Sequence, residues 1–238
     1  MQQIIAMGGG GFSMEPDNLA LDRYILQQTT AERPKVCFLS QASCESPDYI
    51  INFYRAFTLL GAEPSHLSLF KPHTADIEDF ILSQQVIYVG GGNTKSMLAL
   101  WREWELDRIL LKAANEANVI LAGISAGAIC WFEQATTDSI PGRLTLLRGL
   151  GYLEGACSPH YDGEAERRPA YHTLIGSGEI AAGVAFDDGA AGHYVDGALI
   201  RVVSSRPNAK GYRVKRTEHG VEEAVLETQY LNGVQTDA

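Results

Sequence analysis

Val119-Ile120-Leu121-Ala122-Gly123-Ile124-Ser125-Ala126-Gly127 sets a run of apolar residues directly before a G-x-S-x-G turn. A short apolar run that ends at glycine reads as a buried strand, and the turn after it carries a serine between small residues. On such a strand-to-helix turn the hydroxyl is pushed out at the carboxyl edge of the sheet, because small neighbours let the backbone bend sharply without collisions. That is how a nucleophile is displayed, and also how a plain tight turn is built. The pentapeptide does not separate the two readings, so its surroundings must.

Upstream, Gln85-Val86-Ile87-Tyr88-Val89 reads as a second buried strand running into Gly90-Gly91-Gly92-Asn93-Thr94. A helical pattern follows, in which Met97, Leu98, Leu100, Trp101, Trp104, Leu106, Ile109 and Leu110 are spaced to form one apolar face. A triple glycine brings bare backbone N–H groups close to a reacting atom, where a Cβ would obstruct, and such donors stabilise an oxyanion. The competing reading, a phosphate cradle, is weakened because no Gly-Lys-Ser/Thr follows and the G-x-G-x-x-G spacing is missing. A purely structural turn is the third reading.

A serine nucleophile needs a base to take its proton and an acid to hold that base in the right tautomer. Of six histidines, His160 is best placed: in Cys157-Ser158-Pro159-His160-Tyr161-Asp162 a proline fixes the backbone at the end of an expected strand. His172 and His193 remain open. Asp138, in Thr136-Thr137-Asp138-Ser139-Ile140-Pro141, gives the chain order Ser, Asp, His, with Glu133, Glu164, Glu166 and Asp187 as alternative acids.

Four segments, Val89-Gly90-Gly91-Gly92-Asn93-Thr94, Gly123-Ile124-Ser125-Ala126-Gly127-Ala128, Thr136-Thr137-Asp138 and Pro159-His160-Tyr161, together resemble the peptidase E family in order and spacing. These are serine dipeptidases with a glutamine-amidotransferase-like α/β fold, with cyanophycinase among their relatives. The resemblance extends over most of the chain. It implies Ser125 as nucleophile, His160 as general base, Asp138 as orienting acid, and the backbone N–H groups of Gly92 and Ala126 as the oxyanion hole. Some relatives use a glutamate as the acid, which keeps Glu133, Glu164 and Glu166 in contention. The implied chemistry is hydrolysis of short peptides through an acyl-enzyme, without metal or cofactor. Two alternatives are an esterase or unusual-amide hydrolase on the same machinery, and a catalytically silent small-molecule-binding or sensor protein on the same fold.

One departure bears on substrate. Aspartyl dipeptidases of this family hold the substrate's aspartate with an arginine shortly after the catalytic histidine, in a Gly-Glu-Thr-Arg-like segment, whereas this chain reads Gly163-Glu164-Ala165-Glu166-Arg167-Arg168. Glu166 falls at the matching position in an ungapped comparison. A carboxylate there repels aspartate, while Arg167 or Arg168 offers a bidentate guanidinium if the loop shifts by a residue or two. A solvated charged loop is the plainer reading of the pair.

The remaining chain alternates apolar strands and amphipathic helices. Gln3 to Met7 precedes Gly8-Gly9-Gly10-Gly11, Leu19 to Gln28 reads helical, Lys35 to Leu39 is the next strand and Tyr49 to Leu60 the next helix. This order predicts one domain over 1–238: an α/β, mostly parallel, doubly wound sheet with helices on both faces, which the resemblance specifies as a flavodoxin-like three-layer sandwich. The site is expected at the carboxyl ends of the strands. Gly8 to Gly11 imitates a nucleotide loop, but Phe12-Ser13-Met14-Glu15-Pro16 interrupts any dinucleotide fingerprint. Gly183 to Phe186 and Ala198 to Val203 read as strands, the second antiparallel near an edge. From Asn208 onward the pattern is polar and mixed, and the last residues are expected to fray.

With 238 residues and 45% hydrophobic content the chain can bury a substantial core. A net charge of -10 argues against nonspecific nucleic-acid binding, which needs concentrated Lys and Arg. Cys37, Cys44, Cys130 and Cys157 show no zinc-like or redox spacing, and neither a signal peptide nor a long apolar span is present, so a cytoplasmic setting without membrane contact is expected. The expected partner is a short peptide substrate, and a homodimer is an allowed assembly. Cys130, five residues past Ser125, is expected to face the core as a small hydrophobe.

Overall fold

The structure, a computed structural model, describes residues 1–231. In the first half of the chain, strands and helices alternate: β1 (Gln3–Met7), α1 (Gly11–Met14), α2 (Ala20–Leu26), β2 (Lys35–Leu39), α3 (Pro47–Leu59), β3 (Glu63–His66), α4 (Ile77–Leu82), β4 (Val86–Val89), α5 (Thr94–Glu103), α6 (Leu106–Glu116), β5 (Ile120–Ile124) and α7 (Ala126–Ile129). The second half is dominated by strands: β6 (Phe132–Thr137), β7 (Thr145–Arg148), β8 (Leu153–Ser158), α8 (Arg167–Ser177), β9 (Gly183–Phe186), β10 (Ala190–Val195), β11 (Ala198–Ser204), β12 (Gly211–Thr217), β13 (Gly220–Val225) and β14 (Thr228–Tyr230).

The run β1-β5-β4-β2-β3 is parallel throughout, as the alternation predicts. Successive side chains of a strand leave opposite faces, and both faces here are buried. Ile4 and Ala6 of β1 therefore join a core with Trp101, Leu106 and Leu110 of α5 and α6. Ile5 and Met7 join another with Leu21, Ile25, Phe53 and Phe57 of α2 and α3. Helices thus cover both faces of this part.

Two expectations need correction. The fold is α/β, but its strands form two sheets, not one: an eight-stranded sheet extended by β10, β11 and β14, and a six-stranded sheet in the order β13-β12-β9-β8-β6-β7. The second sheet is mixed, with β6, β8 and β9 parallel and β7, β12 and β13 antiparallel to their neighbours. It packs Phe132, Leu153 and Phe186 onto one face of the first sheet and is covered outside by Tyr171 and Ile175 of α8. The helix read through Leu110 is two helices, broken at Trp104 and at Glu105, whose φ of 53° is left-handed. The polar stretch after Asn208 folds as the β12–β13 hairpin, since a strand exposed on one face carries polar residues at alternate positions. β11 is antiparallel to β10, next to the edge strand β14. The expected frayed end falls at residues 232–238, outside those described.

Candidate active site

Five turns meet at the carboxyl ends of their strands: Gly8–Gly11 after β1, Gly90–Gly92 after β4, Ser125 after β5, His160 after β8 and Asp188 after β9. Ser125 sits at φ 55°, ψ -114°, and His160 at φ 51°. Each non-glycine residue in the left-handed region costs on the order of 1 kcal/mol, a strain that clusters at functional sites. Small neighbours make the serine turn feasible. A Cβ on Gly123 would lie 2.2 Å from the Gly127 carbonyl oxygen, and one on Gly127 would lie 2.2 Å from that of Val89.

The turn aims Ser125 Oγ at His160 Nε2, 2.9 Å away, and His160 Nδ1 lies 2.6 Å from Asp188 Oδ1. The carboxylate accepts the Nδ1–H, which leaves Nε2 as the acceptor for the serine hydroxyl. His160 and Asp188 are largely buried, at 12% and 11% side-chain exposure. Asp188 is fixed from several sides: its N–H donates to Asp162 Oδ1 at 2.8 Å, and Gly9 pairs with it as a parallel bridge. A Cβ on Gly9 would fall 2.0 Å from Asp188 Oδ1, and one on Gly163 would fall 2.2 Å from Oδ2. Gly8–Gly11 is therefore a backbone shelf: the Gly8 carbonyl accepts the His160 N–H at 3.3 Å and the Gly9 carbonyl accepts the Gly189 N–H at 3.0 Å.

The structure brings Ser125 and His160 together and leaves Asp138 out. Asp138 is 64% exposed and lies 3.3 Å from Arg167 instead of against the imidazole, which corrects the expected hydrogen bond. The other expected acids are also elsewhere. Glu133 accepts the Gly155 N–H, Glu164 pairs with Arg167 at 2.6 Å, and Glu166 precedes α8 with no side-chain cap bond. Asp187, next in sequence to the residue that does meet His160, points away to accept from the Lys210 N–H and the Tyr212 hydroxyl, and burial raises its pKa. Asp188 was missed because adjacent residues face opposite ways, and nothing in Phe186-Asp187-Asp188-Gly189 says which carboxylate faces in. The usable signal was its position two residues past β9, matching His160 two residues past β8.

His172 bonds Glu223, and His193 is buried between Tyr24 and Gln3, where desolvation lowers its pKa to about 4. Neither reaches Ser125. Cys130 is buried as expected but ends a helix of only four residues. Among the described residues no three His, Cys, Asp or Glu side chains gather to hold a metal ion, and no helix is long and apolar enough to cross a membrane.

Around the serine, Gly91 lies in contact range: a Cβ there would sit 3.4 Å from Ser125 Cβ. Its N–H donates to Tyr49 Oη at 3.2 Å, whereas those of Gly92 and Ala126 make no hydrogen bond among the described residues. Gly92, at φ 136°, is pressed against Ala42, whose carbonyl oxygen would be 2.1 Å from an added Cβ.

A sequence model for peptidase family S51 matches residues 4–202. The chain belongs to this family. It is 57% identical over 231 residues to the uncharacterized peptidase YgaJ of Bacillus subtilis (strain 168), covering 97% of this chain and 100% of that one. Among solved structures, a peptidase from an acI-B1 Actinobacterium superposes with a TM-score of 0.69 at 18% identity, over 96% of this chain and 95% of its own. A protein from Listeria monocytogenes EGD-e, described as a candidate peptidase E, gives 0.58 at 16% identity, over 95% of this chain and 100% of its own. At these identities the two structures show a shared fold. Family S51 membership makes the chain a serine-type peptidase.

The two arginines of the loop past His160 are both engaged. Arg167, with its side chain 3% exposed, lies between Glu164 and Asp138 and points Nη1 at the Thr136 carbonyl. Arg168 grips Glu223 through Nε and Nη2 and lies 4.7 Å from the ring centres of both Tyr161 and Tyr212. Both carboxylates on Arg167 are open to water, so their attraction is screened. Arg167→Ala is accordingly expected to cost about 2 kcal/mol, mainly from vacated buried volume, read by chemical denaturation; a change below about 0.5 kcal/mol would contradict that packing role.

Proposed function

We propose that this peptidase hydrolyses dipeptides and similar short peptides through an acyl-enzyme on Ser125. The observation that carries the reading is the continuous chain from Ser125 Oγ through His160 to Asp188. In the acylation step His160 Nε2 takes the hydroxyl proton while Oγ attacks the peptide carbonyl carbon. Asp188 keeps the imidazole in the tautomer that can accept and stabilises the imidazolium that forms. The N–H groups of Gly92 and Ala126, with no acceptor among the described residues, receive the developing oxyanion. The imidazolium returns the proton to the leaving amine as the C–N bond breaks. Water activated by the same imidazole then cleaves the ester, releasing the acid and restoring Ser125.

The loop past the base supports a preference for neutral amino-terminal residues. Arg167 and Arg168 are committed to carboxylates and tyrosine rings, and the exposed carboxylates of Asp138 and Glu164 both sit against Arg167. An aspartyl substrate would find no unengaged guanidinium on this loop and would meet like charges. A dipeptide library assayed with wild type and Ser125→Ala tests both parts. The expected result is hydrolysis that disappears in the variant, with Ala-Leu turned over at a higher kcat/KM than Asp-Leu. Cleavage persisting in Ser125→Ala would overturn the mechanism, and a strong preference for Asp-Leu would overturn the specificity.

A further inference from the structure

Asp22, on α2, is completely buried, and among the described residues neither carboxyl oxygen has a hydrogen-bond partner. The Tyr88 hydroxyl on β4 is likewise buried and without a partner. All three oxygens converge on Gly11, where a Cβ would lie 3.0 Å and 3.3 Å from the Asp22 oxygens and 3.2 Å from Tyr88 Oη. A buried carboxyl group without partners destabilises the fold, so its presence asks for a use. Its location supplies one. Gly11 ends the glycine shelf that holds the backbones of His160 and Gly189, and Tyr88 stands on the strand that runs into Gly90–Gly92. Asp22 is thus a buried post between the two glycine turns that flank Ser125.

We propose that Asp22 is a positioning residue for the active site: as the neutral acid, closed in between Gly11 and the Tyr88 hydroxyl, it props the turn after β1 against the turn after β4. The groups that face it are the Phe12 N–H and Glu15 from the β1 side, Tyr88 from β4 and Tyr49 from α3, with no cation among them. Desolvation, its largest influence, raises its pKa from 3.8 to about 7. Between those values the folded protein keeps a proton that the unfolded chain has lost, so stability falls as pH rises through this window and levels off above it. Ionisation places a charge in a buried setting with no cation facing it, loosening the turns.

This inference rests on Ser125 being the nucleophile, and the rate at which a fluorophosphonate labels Ser125 reads it without any assumption about substrate. Loss of the Asp22 proton is expected to lower this rate as pH rises. Wild type is expected to lose about fiftyfold in labelling rate between pH 7 and pH 9, as loss of one proton with a pKa of about 7 does. Asp22→Asn, whose amide still donates and accepts, is expected to keep the neutral-pH rate, lose the alkaline decline, and gain melting temperature at pH 8 relative to wild type. Tyr88→Phe removes the hydroxyl beside the carboxyl and leaves it harder to ionise, so the decline is expected to move to higher pH; it reads the same limb should Asp22→Asn fail to fold. An identical alkaline decline in wild type and either variant would overturn the role of Asp22. Absence of labelling in wild type at every pH would overturn the reading of Ser125 and this inference with it.

Discussion

Asp188→Ala is expected to lower turnover by about three to four orders of magnitude, roughly 4 to 5.5 kcal/mol of transition-state stabilisation, while Asp138→Ala stays within a few-fold of wild type. The contrast follows from one distance and one exposure. Asp188 Oδ1 is 2.6 Å from His160 Nδ1 in a nearly closed setting, whereas Asp138 is 64% exposed beside Arg167. Without Asp188 the imidazole is free to present Nε2–H to the serine, which cannot then act as base. Steady-state kcat for the two variants, with circular dichroism to verify the fold, decides between them. A deep loss in Asp138→Ala with Asp188→Ala near wild type would restore the acid expected from the sequence.

Gly9→Ala should cost about a hundredfold in kcat with the fold retained, since small displacements of a catalytic constellation have effects of that size. Gly9 is not in the left-handed region, so alanine suits its backbone. Its Cβ, however, would sit 2.0 Å from Asp188 Oδ1, and the carboxylate must move off the imidazole to make room. Gly61→Ala is the control: nothing lies within 4 Å of its Cβ, and although its φ of 80° brings strain, it is unconnected to the site. Turnover unchanged in Gly9→Ala would show that the placement of Asp188 by the glycine shelf is unimportant.

The parallel half of the fold was legible because its signals are local. Lys35 to Leu39 is an apolar run bounded as a buried strand should be, and it forms β2 with those bounds. The serine turn was legible for the same reason, since a strand, small residues and a short helix are adjacent in sequence. His160 was within reach through Pro159 and the end of β8. The second sheet was not, because β6 and β8 are only partly covered and their buried positions are interspersed with Glu133, Gln134, Glu154 and Gly155. The acid was lost at a finer scale still. Asp187 and Asp188 are chemically identical neighbours, and tertiary pairing with Gly9 selects which one turns inward. Gly8–Gly11 likewise resembles a ligand loop until β9 is known to lie against it, where its lack of side chains serves close backbone approach.

The central claim is that Ser125 is acylated with His160 as its base. Rapid acid quench of wild type during turnover of an aminoacyl ester, followed by peptide mapping in a mass spectrometer, observes that bond directly. The account predicts one acyl group per chain on the peptide containing Ser125, formed in wild type and absent in both Ser125→Ala and His160→Ala. Acylation of a different residue, or turnover with no covalent adduct at Ser125, would contradict it.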